Sequence, residues 1–280
     1  MGEPPPASVA SDAVRQNLKA LTPEPIWRVS RNAWLAFKQG LAWPTATFHP
    51  LRRKSIARLA ALKDTNRGQR AFILGNGPSL NNTDVSKLAS EHSFGMNRVY
   101  LAFAEWGFQT SYLVSVNDLV IEQSAAEIEA LSMPKFLSWR SRRYIQADKT
   151  TNFLHSTYER PTIAKDARGR LWEGATVTYI ALQLAFHMGF DPVILIGVDH
   201  SFSSKGKANS TVVSQGEDKD HFAGNYFGPG FRWQLPDLDM SERAYEMARQ
   251  AFVEDGRQVL DATIDGQLTV FPKVDYNSLF

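Results

Sequence analysis

The chain contains no cysteine. That absence excludes disulfides, thiolate-zinc sites and cysteine nucleophiles, and it is compatible with a reducing compartment. Long apolar runs are missing too: none approaches the roughly 18–20 residues that a helical membrane span requires. The opening stretch, MGEPPPASVASD, is polar and proline-rich and lacks the apolar core of a secretory leader. The expectation is a cytoplasmic protein. Nor is there a large excess of one charge, since the formal net charge is +2 over 280 residues, which argues against a dedicated nucleic-acid binder.

The small net charge conceals an uneven distribution. Residues 1–70 hold 12 Lys/Arg against 4 Asp/Glu, and residues 71–280 hold 19 against 25. A basic extension therefore precedes a mildly acidic remainder. With 43% hydrophobic residues, the remainder can bury a full core as one large domain. The expected division is a partly disordered, helical extension over residues 1–68 and a main domain over 69–280. The extension includes IWRVSRNAWLAFKQGLAW, where Trp27, Trp34, Phe37, Leu41 and Trp43 alternate with Arg28, Arg31 and Lys38, followed by Arg52, Arg53, Lys54 and Arg58. Residues 26–58 suit an anionic membrane surface, or packing on the main domain or on a second copy in a homo-oligomer.

From residue 69 onward, strand and helix signals alternate. RAFILG, SYLVSVND, MPKFLSW, DPVILIGVDHSF and RQVLDAT read as strands. LVIEQSAAEIEAL, GATVTYIALQLAFHMGF and DMSERAYEMARQAFVEDG read as helices, the last capped by Asp239 or Ser241 and stopped at Gly256. Helix followed by buried strand, repeated, predicts an α/β fold: a doubly wound, mostly parallel, Rossmann-like sheet with helices on both faces. Residues 203–236 show no sustained periodicity yet carry five aromatics and His221. Such a stretch inside a compact domain predicts a functional lid rather than plain disorder.

In doubly wound folds, ligands bind beyond the carboxyl ends of the strands. The polar residues expected there are Asn76 and Ser79, Asn97, Asn117 with Asp118, and Asp199 with His200. The first pair sits in FILGNGPSLNN, a strand that runs into a glycine turn. This turn lacks the Gly-Lys-Ser/Thr end of a P-loop, and Leu80 stands where a dinucleotide fingerprint needs its third glycine. Pro78 instead suits the first position of a helix. Asparagine amides offer both donors and acceptors, which suits a base, ribose or sugar, while backbone N–H groups at the turn suit a phosphate. A plain strand-to-helix turn is the competing reading.

The ordered blocks ILGNGPSL, FGMNRVY, YLVSVNDLVIEQ, TVTYIALQLAFHMGFDPVILIGVDHSF and DHF resemble those of one protein group. It joins the family 42 sialyltransferases, the flagellin motility-associated glycosyltransferases and the 6-hydroxymethylpterin diphosphokinase-like proteins. The resemblance covers roughly residues 71–222 and leaves out 1–68. It implies that Asn76, Gly77, Pro78 and Ser79 hold the CMP part of a sugar nucleotide. It further implies that Asn97 and Asn117 contact nucleotide and donor sugar, and that Thr176 to Thr178 approach the donor at a helix N-terminus. His221 matches the family's general base. The tyrosine expected after the Gly-Val-Asp strand end is absent. Ser201 and Phe202 stand there instead, with Tyr226 of the lid as a substitute candidate.

The resemblance implies a glycosyltransferase that moves a 2-keto-3-deoxy sugar acid (sialic, pseudaminic or Kdo type) from its CMP ester to a glycan or glycolipid acceptor. The transfer would be inverting, with a histidine base and no required cofactor or metal. His200 competes with His221 as base, and Asp199 serves either to orient a hydroxyl or to cap a turn. Asp218-Lys219-Asp220 and Asp237-Leu238-Asp239 spell the Asp-x-Asp triplet of metal-dependent transferases. Two readings compete: a Mg2+-ATP-dependent diphosphokinase of the 6-hydroxymethylpterin type, and a catalytically silent nucleotide-sugar-binding protein.

Overall fold

A computed structural model describes residues 44–204 and 206–280. The tryptophan-rich helix expected over residues 26–43 lies outside the described residues. The chain forms two compact units, Met1–His49 and Pro50–Phe280. In the first, residues 44–48 are helical. The second begins at Pro50, so the domain boundary falls well before residue 68 and the basic run belongs to the folded domain.

In chain order the second unit contains α1 (Pro50–Leu62), β1 (Ala71–Leu74), β2 (His92–Met96), α2 (Phe103–Trp106) and β3 (Tyr112–Ser115). There follow α3 (Asp118–Gln123), α4 (Ala125–Ala130), β4 (Lys135–Ser138), β5 (Thr151–Thr157), β6 (Arg170–Trp172) and α5 (Val177–Met188). The chain continues with β7 (Val193–Ile196), β8 (Thr211–Val213), β9 (Arg232–Gln234), α6 (Leu238–Glu254) and β10 (Val259–Asp261). Eight strands form one sheet in the order β10-β7-β1-β2-β3-β4-β5-β6, with every pairing parallel. β8 and β9 form a separate antiparallel pair.

Both faces of the central strands are covered, which is why β1 and β7 read as unbroken apolar runs. Side chains nonetheless alternate between two cores. Ala71, Ile73, Val193 and Leu195 point to the core that includes Leu59 of α1, nearly all of α5, and Ala244, Ala248 and Phe252 of α6. Phe72, Leu74, Ile194 and Ile196 point the other way, to Leu80, Leu88, Ala262 and Tyr276. Long helices cover the first face. Around β1 and β7 the second is covered by short 3-10 turns and the C-terminal segment.

Two local features differ from expectation. The helix read through LVIEQSAAEIEAL is broken at Ser124 into α3 and α4. The cap of α6 is Asp237, whose side chain accepts from Met240 N, rather than Asp239 or Ser241.

α1 shows how basic residues serve the fold. Arg52, Ser55 and Leu59 lie on its buried face. Arg52 donates to Arg168 O at 2.6 Å and Gly169 O at 3.3 Å, and burial pulls its pKa down to about 10. Ser55 Oγ accepts from Phe153 N of β5 at 2.9 Å. Half of the run Arg52, Arg53, Lys54 and Arg58 is thus engaged by the fold, for Arg58 also donates to Thr151 O at 2.8 Å. Arg52→Ala would leave a cavity and two unpaired carbonyls, at a cost of about 3 kcal/mol. Exposed Arg53→Ala is expected to stay within about 0.5 kcal/mol of the parent; urea denaturation of both variants checks the contrast.

Candidate functional site

The sheet order places the site. After β1 the chain moves through β2 toward β6, then returns through α5 to β7 on the other side of β1. The carboxyl ends of β1 and β7 therefore flank a topological switch point, where a crevice opens. The glycines there permit a very close backbone approach. A Cβ on Gly75 would lie 1.9 Å from Gly197 O, and one on Gly77 would lie 1.9 Å from Asp199 Oδ2. Gly77 N donates to Gly197 O at 3.0 Å. Pro78 opens a 3-10 turn, Pro78–Asn82, in place of a longer helix.

A cavity of about 580 Å3 lies over this crevice. It is lined by Asn76, Gly77, Asn97, Asn117, Thr176, Thr178, Asp199, His200, Ser201 and His221 of the expected set. Pro78, Ser79 and Tyr226 are not in the lining. Ser79 is engaged behind the wall, where its backbone N–H and Oγ donate to Asp199 at 3.1 and 2.6 Å. Asp199 thus clamps the two turns together, which is the turn-capping role. Tyr226 is fully buried, and its hydroxyl accepts from Arg98 N at 3.2 Å. With its hydroxyl engaged by Arg98 N and its ring outside the lining, it does not stand in this arrangement where the missing tyrosine is expected.

Each asparagine is held by its own element. Asn76 Nδ2 donates to Met96 O at 3.1 Å, while its Oδ1 is buried without a protein partner. Asn97 sits just after β2 at φ 50°, and its Oδ1 accepts from Ser115 Oγ at 3.0 Å. Asn117 caps α3 through Leu119 N and Val120 N. Thr176 caps α5 and meets Tyr245 Oη at 3.3 Å. Behind them, Arg140 ties two of these helix starts together, bonding Asp118 at 2.9 Å and Glu173 at 2.7 Å. Burial works to lower the Arg140 pKa, but the charges of Glu173, Tyr158 and Asp118 more than offset it and raise it.

His221 is brought to the site by the 203–236 segment. Phe222 N donates to Asn76 O at 2.8 Å, and Asn81 Nδ2 donates to Phe222 O at 2.9 Å, so the segment is pinned to the glycine turn. The imidazole stacks on Tyr226 with centroids 4.1 Å apart and planes 3° from parallel. Its Nδ1 lies 2.9 Å from Asp218. A proton on Nδ1 shared with this carboxylate leaves Nε2 as the basic nitrogen, and among the described residues Nε2 has no hydrogen bond. His200, at φ 55°, pairs instead with Glu242 at 3.0 Å.

In the sequence, Asp218 reads only as part of an Asp-x-Asp triplet. Its three-residue spacing from His221 was the available signal for a dyad. The other carboxylate of that triplet is also occupied: Asp220 accepts from the N–H and Oγ of both Ser203 and Ser204. Glu173, Tyr158 and Trp233 also line the cavity without having been anticipated. The described lining contains no lysine or arginine.

The sequence model of the "6-hydroxymethylpterin diphosphokinase MptE-like" family matches residues 51–205. The chain belongs to this family. The match runs from α1 to just beyond β7 and so includes the glycine turn, the asparagines and Asp199 of this MptE-like chain, but it stops before His221. A solved structure of "MAf glycosyltransferase from Magnetospirillum magneticum AMB-1" is also similar, with 16% identity and a TM-score of 0.48 over 82% of this chain and 39% of that one. This MptE-like chain thus spans about two-fifths of that protein's length. No curated protein matches.

Gly75→Ala forces a Cβ into the Gly197 backbone and is expected to cost about 3 kcal/mol or more in urea denaturation. Gly256→Ala, at φ 73° but in open space, is expected to cost about 1 kcal/mol. A second prediction concerns pH. Burial opposes the charged form of Asp220, but its hydrogen bonds from Ser204 and Ser203 outweigh this and hold its pKa below the usual carboxylate value. Its contribution is therefore complete above pH ~4 and is lost as pH falls through the depressed folded value. The protection of the Ser203 and Ser204 amides against hydrogen exchange, relative to their intrinsic rates at each pH, is expected to fall on that descent. In Asp220→Asn that protection is expected to be low at neutral pH already.

Proposed function

We propose that the protein is a glycosyltransferase that carries a 2-keto-3-deoxy sugar acid from its CMP ester to a hydroxyl of a glycan or glycolipid. The observation that carries this reading is the His221–Asp218 pair. His221 lines the cavity with an Nε2 that has no hydrogen bond among the described residues, and the described lining is rich in amides and hydroxyls and free of lysine and arginine. Such a lining suits a ribose, a base and a single phosphate better than a triphosphate, whose charge would demand cations.

In this reading the acceptor O–H gives its proton to His221 Nε2 while the acceptor oxygen bonds to the anomeric carbon. The bond from that carbon to the phosphate oxygen breaks, and CMP leaves with the electron pair, inverting the centre in one displacement. Asp218 holds the imidazole in the required tautomer and stabilises the imidazolium that forms. The α5 N-terminus, with Thr176 and Thr178, and the Ser201 hydroxyl supply dipoles and donors toward the departing phosphate. The 203–236 segment excludes water around the donor.

Membership of the MptE-like family supports a second reading, diphosphoryl transfer from ATP with Mg2+ to a hydroxymethyl heterocycle. The same base would then deprotonate the hydroxymethyl group. Against it, the carboxylates that line the cavity already have protein partners. Glu173 is held by Arg140, Asp199 by Ser79, Asp220 by the serines, and Asp237 by Met240 N and Asn209. These contacts leave further lone pairs on each carboxylate, but among the described residues no three His, Asp or Glu side chains gather into a group that could hold a metal ion, which favours metal-independent transfer.

Calorimetric titration with CMP and with ATP, each with magnesium and with chelator, separates the readings. Metal-independent CMP binding without ATP binding is expected; magnesium-dependent ATP binding with no CMP signal would overturn the proposal. Once a donor is found, His221→Ala is expected to lower kcat by 10²–10⁴-fold with CMP affinity nearly unchanged. Asp218→Asn is expected to lower kcat by a smaller factor. Unchanged turnover in His221→Ala would reject the assigned base.

A further inference from the structure

A second cavity, of about 310 Å3, opens at the amino end of β5. The nucleotide-facing cavity lies at the carboxyl ends of the strands, so in an all-parallel sheet the two sites occupy opposite edges. Lys54 and Arg58 of α1, together with Lys149, Asp148 and Thr151, line this second cavity. Lys54 and Arg58 stand four residues apart on one helix face, where like charges repel.

The one acid in this lining does not neutralise them. Asp148 Oδ2 accepts from Lys135 Nζ at 3.3 Å, and Lys135 is itself buried. Asp148 Oδ1 accepts from Thr150 N at 3.0 Å and Thr151 Oγ1 at 2.6 Å. The Lys135–Asp148 pair is thus self-contained. Among the described residues, Lys54, Arg58 and Lys149 have no ion-pair partner. Arg58 is fixed in place by its bond to Thr151 O at 2.8 Å, whereas Lys54 and Lys149 are exposed. A concave site with three unpaired cations, one already oriented, fits a tetrahedral oxyanion that can accept from several donors at once.

We infer that this cavity binds a phosphate-bearing anion through Lys54, Arg58 and Lys149, at a place separate from the nucleotide-facing cavity. The group is either the headgroup phosphate of an anionic lipid or a free phosphate. The lipid source would hold this edge of the sheet against a membrane and leave the opposite edge open to substrate. The inference stands independently of which transfer reaction the main site performs.

The test uses the full chain and two probes. Sedimentation with vesicles of phosphatidylcholine, with and without phosphatidylglycerol, reads the lipid source, and calorimetry with inorganic phosphate reads the free source. Lys54→Glu/Lys149→Glu alters only exposed side chains and leaves the Arg58 bond in place. A charge-matched control, Lys165→Glu/Arg249→Glu, reverses cations that pair with Glu254 and Glu246. Wild type is expected to bind phosphatidylglycerol vesicles and not pure phosphatidylcholine, with about tenfold or greater loss in the Lys54/Lys149 variant and little in the control. Phosphate binding with the same loss, and no vesicle binding, would assign the site to a soluble phosphate. Equal binding by variant and wild type, or no binding of either probe, overturns the inference. Lys54→Gln/Lys149→Gln serves as a gentler second variant, and matched thermal melts show that each protein is folded.

Discussion

The arrangement of the site depends on the approach of two turns at the centre of the sheet. β1 and β7 are neighbours, and the glycines that end them bring Gly75 and Gly197 so close that no side chain fits between. Asp199 then bonds both the backbone and the hydroxyl of Ser79, locking the turn after β7 onto the turn after β1. With these two turns fixed, Asn76 is aimed between β1 and β2, where it bonds Met96 O. Its second amide atom is buried with no protein partner. An unsatisfied buried acceptor is costly unless something else meets it, and a ligand N–H or O–H in the crevice would do so.

A second layer holds the rest of the wall. Asn117 and Thr176 begin different helices on different parts of the chain, and each uses its side chain to cap its own helix. Arg140 bonds both Asp118, next to Asn117, and Glu173, three residues before Thr176. One guanidinium therefore sets the spacing of two helix N-termini that face the same cavity. Removing Arg140 from this half-buried cluster leaves the buried Glu173 carboxylate uncompensated. The cluster is thus a rigid back wall whose geometry reaches the ligand through the caps.

Much of this was legible in the sequence, and the parts that were not share a cause. Apolar runs ending in Gly-Asn-Gly and Gly-Val-Asp identified β1 and β7 and their polar ends, because a buried parallel strand has little freedom of composition. Asn76, Asn97, Asn117 and Asp199 are legible the same way, as polar residues at strand ends, whereas Thr176 and His221 are legible only through the family resemblance; the fold brings all six to one cavity. By contrast β5, β6 and the β8–β9 hairpin left no clear signal. β5 mixes threonine, asparagine, histidine and serine with its apolar residues, and β8 and β9 are three residues each. The basic run of α1 looked like a surface feature because sequence cannot show that Arg52 reaches the carbonyls of Arg168 and Gly169, 116 and 117 positions away. Tyr226 looked available for the same reason. Its burial against His221 and Arg98 is a property of the aromatic cluster, which no local pattern announces.

The extent of the family match divides the site in a way that bears on chemistry. Residues 51–205 supply the glycine turn, the asparagines, the α5 cap and the Asp199 clamp, which in the proposed reading together cradle a nucleotide and specify no reaction. The basic nitrogen enters from beyond that range, on a segment anchored to the cradle by Phe222 and Asn81 and braced on α3 by Gln123, which bonds Arg232 N and O. Such a cradle can hold the nucleotide of several donors. The group that meets the acceptor, and the aromatic wall that shapes its approach, then decide which bond is made. On this view a change of reaction requires a change in the segment after β7, while the sheet and its two locked turns stay as they are.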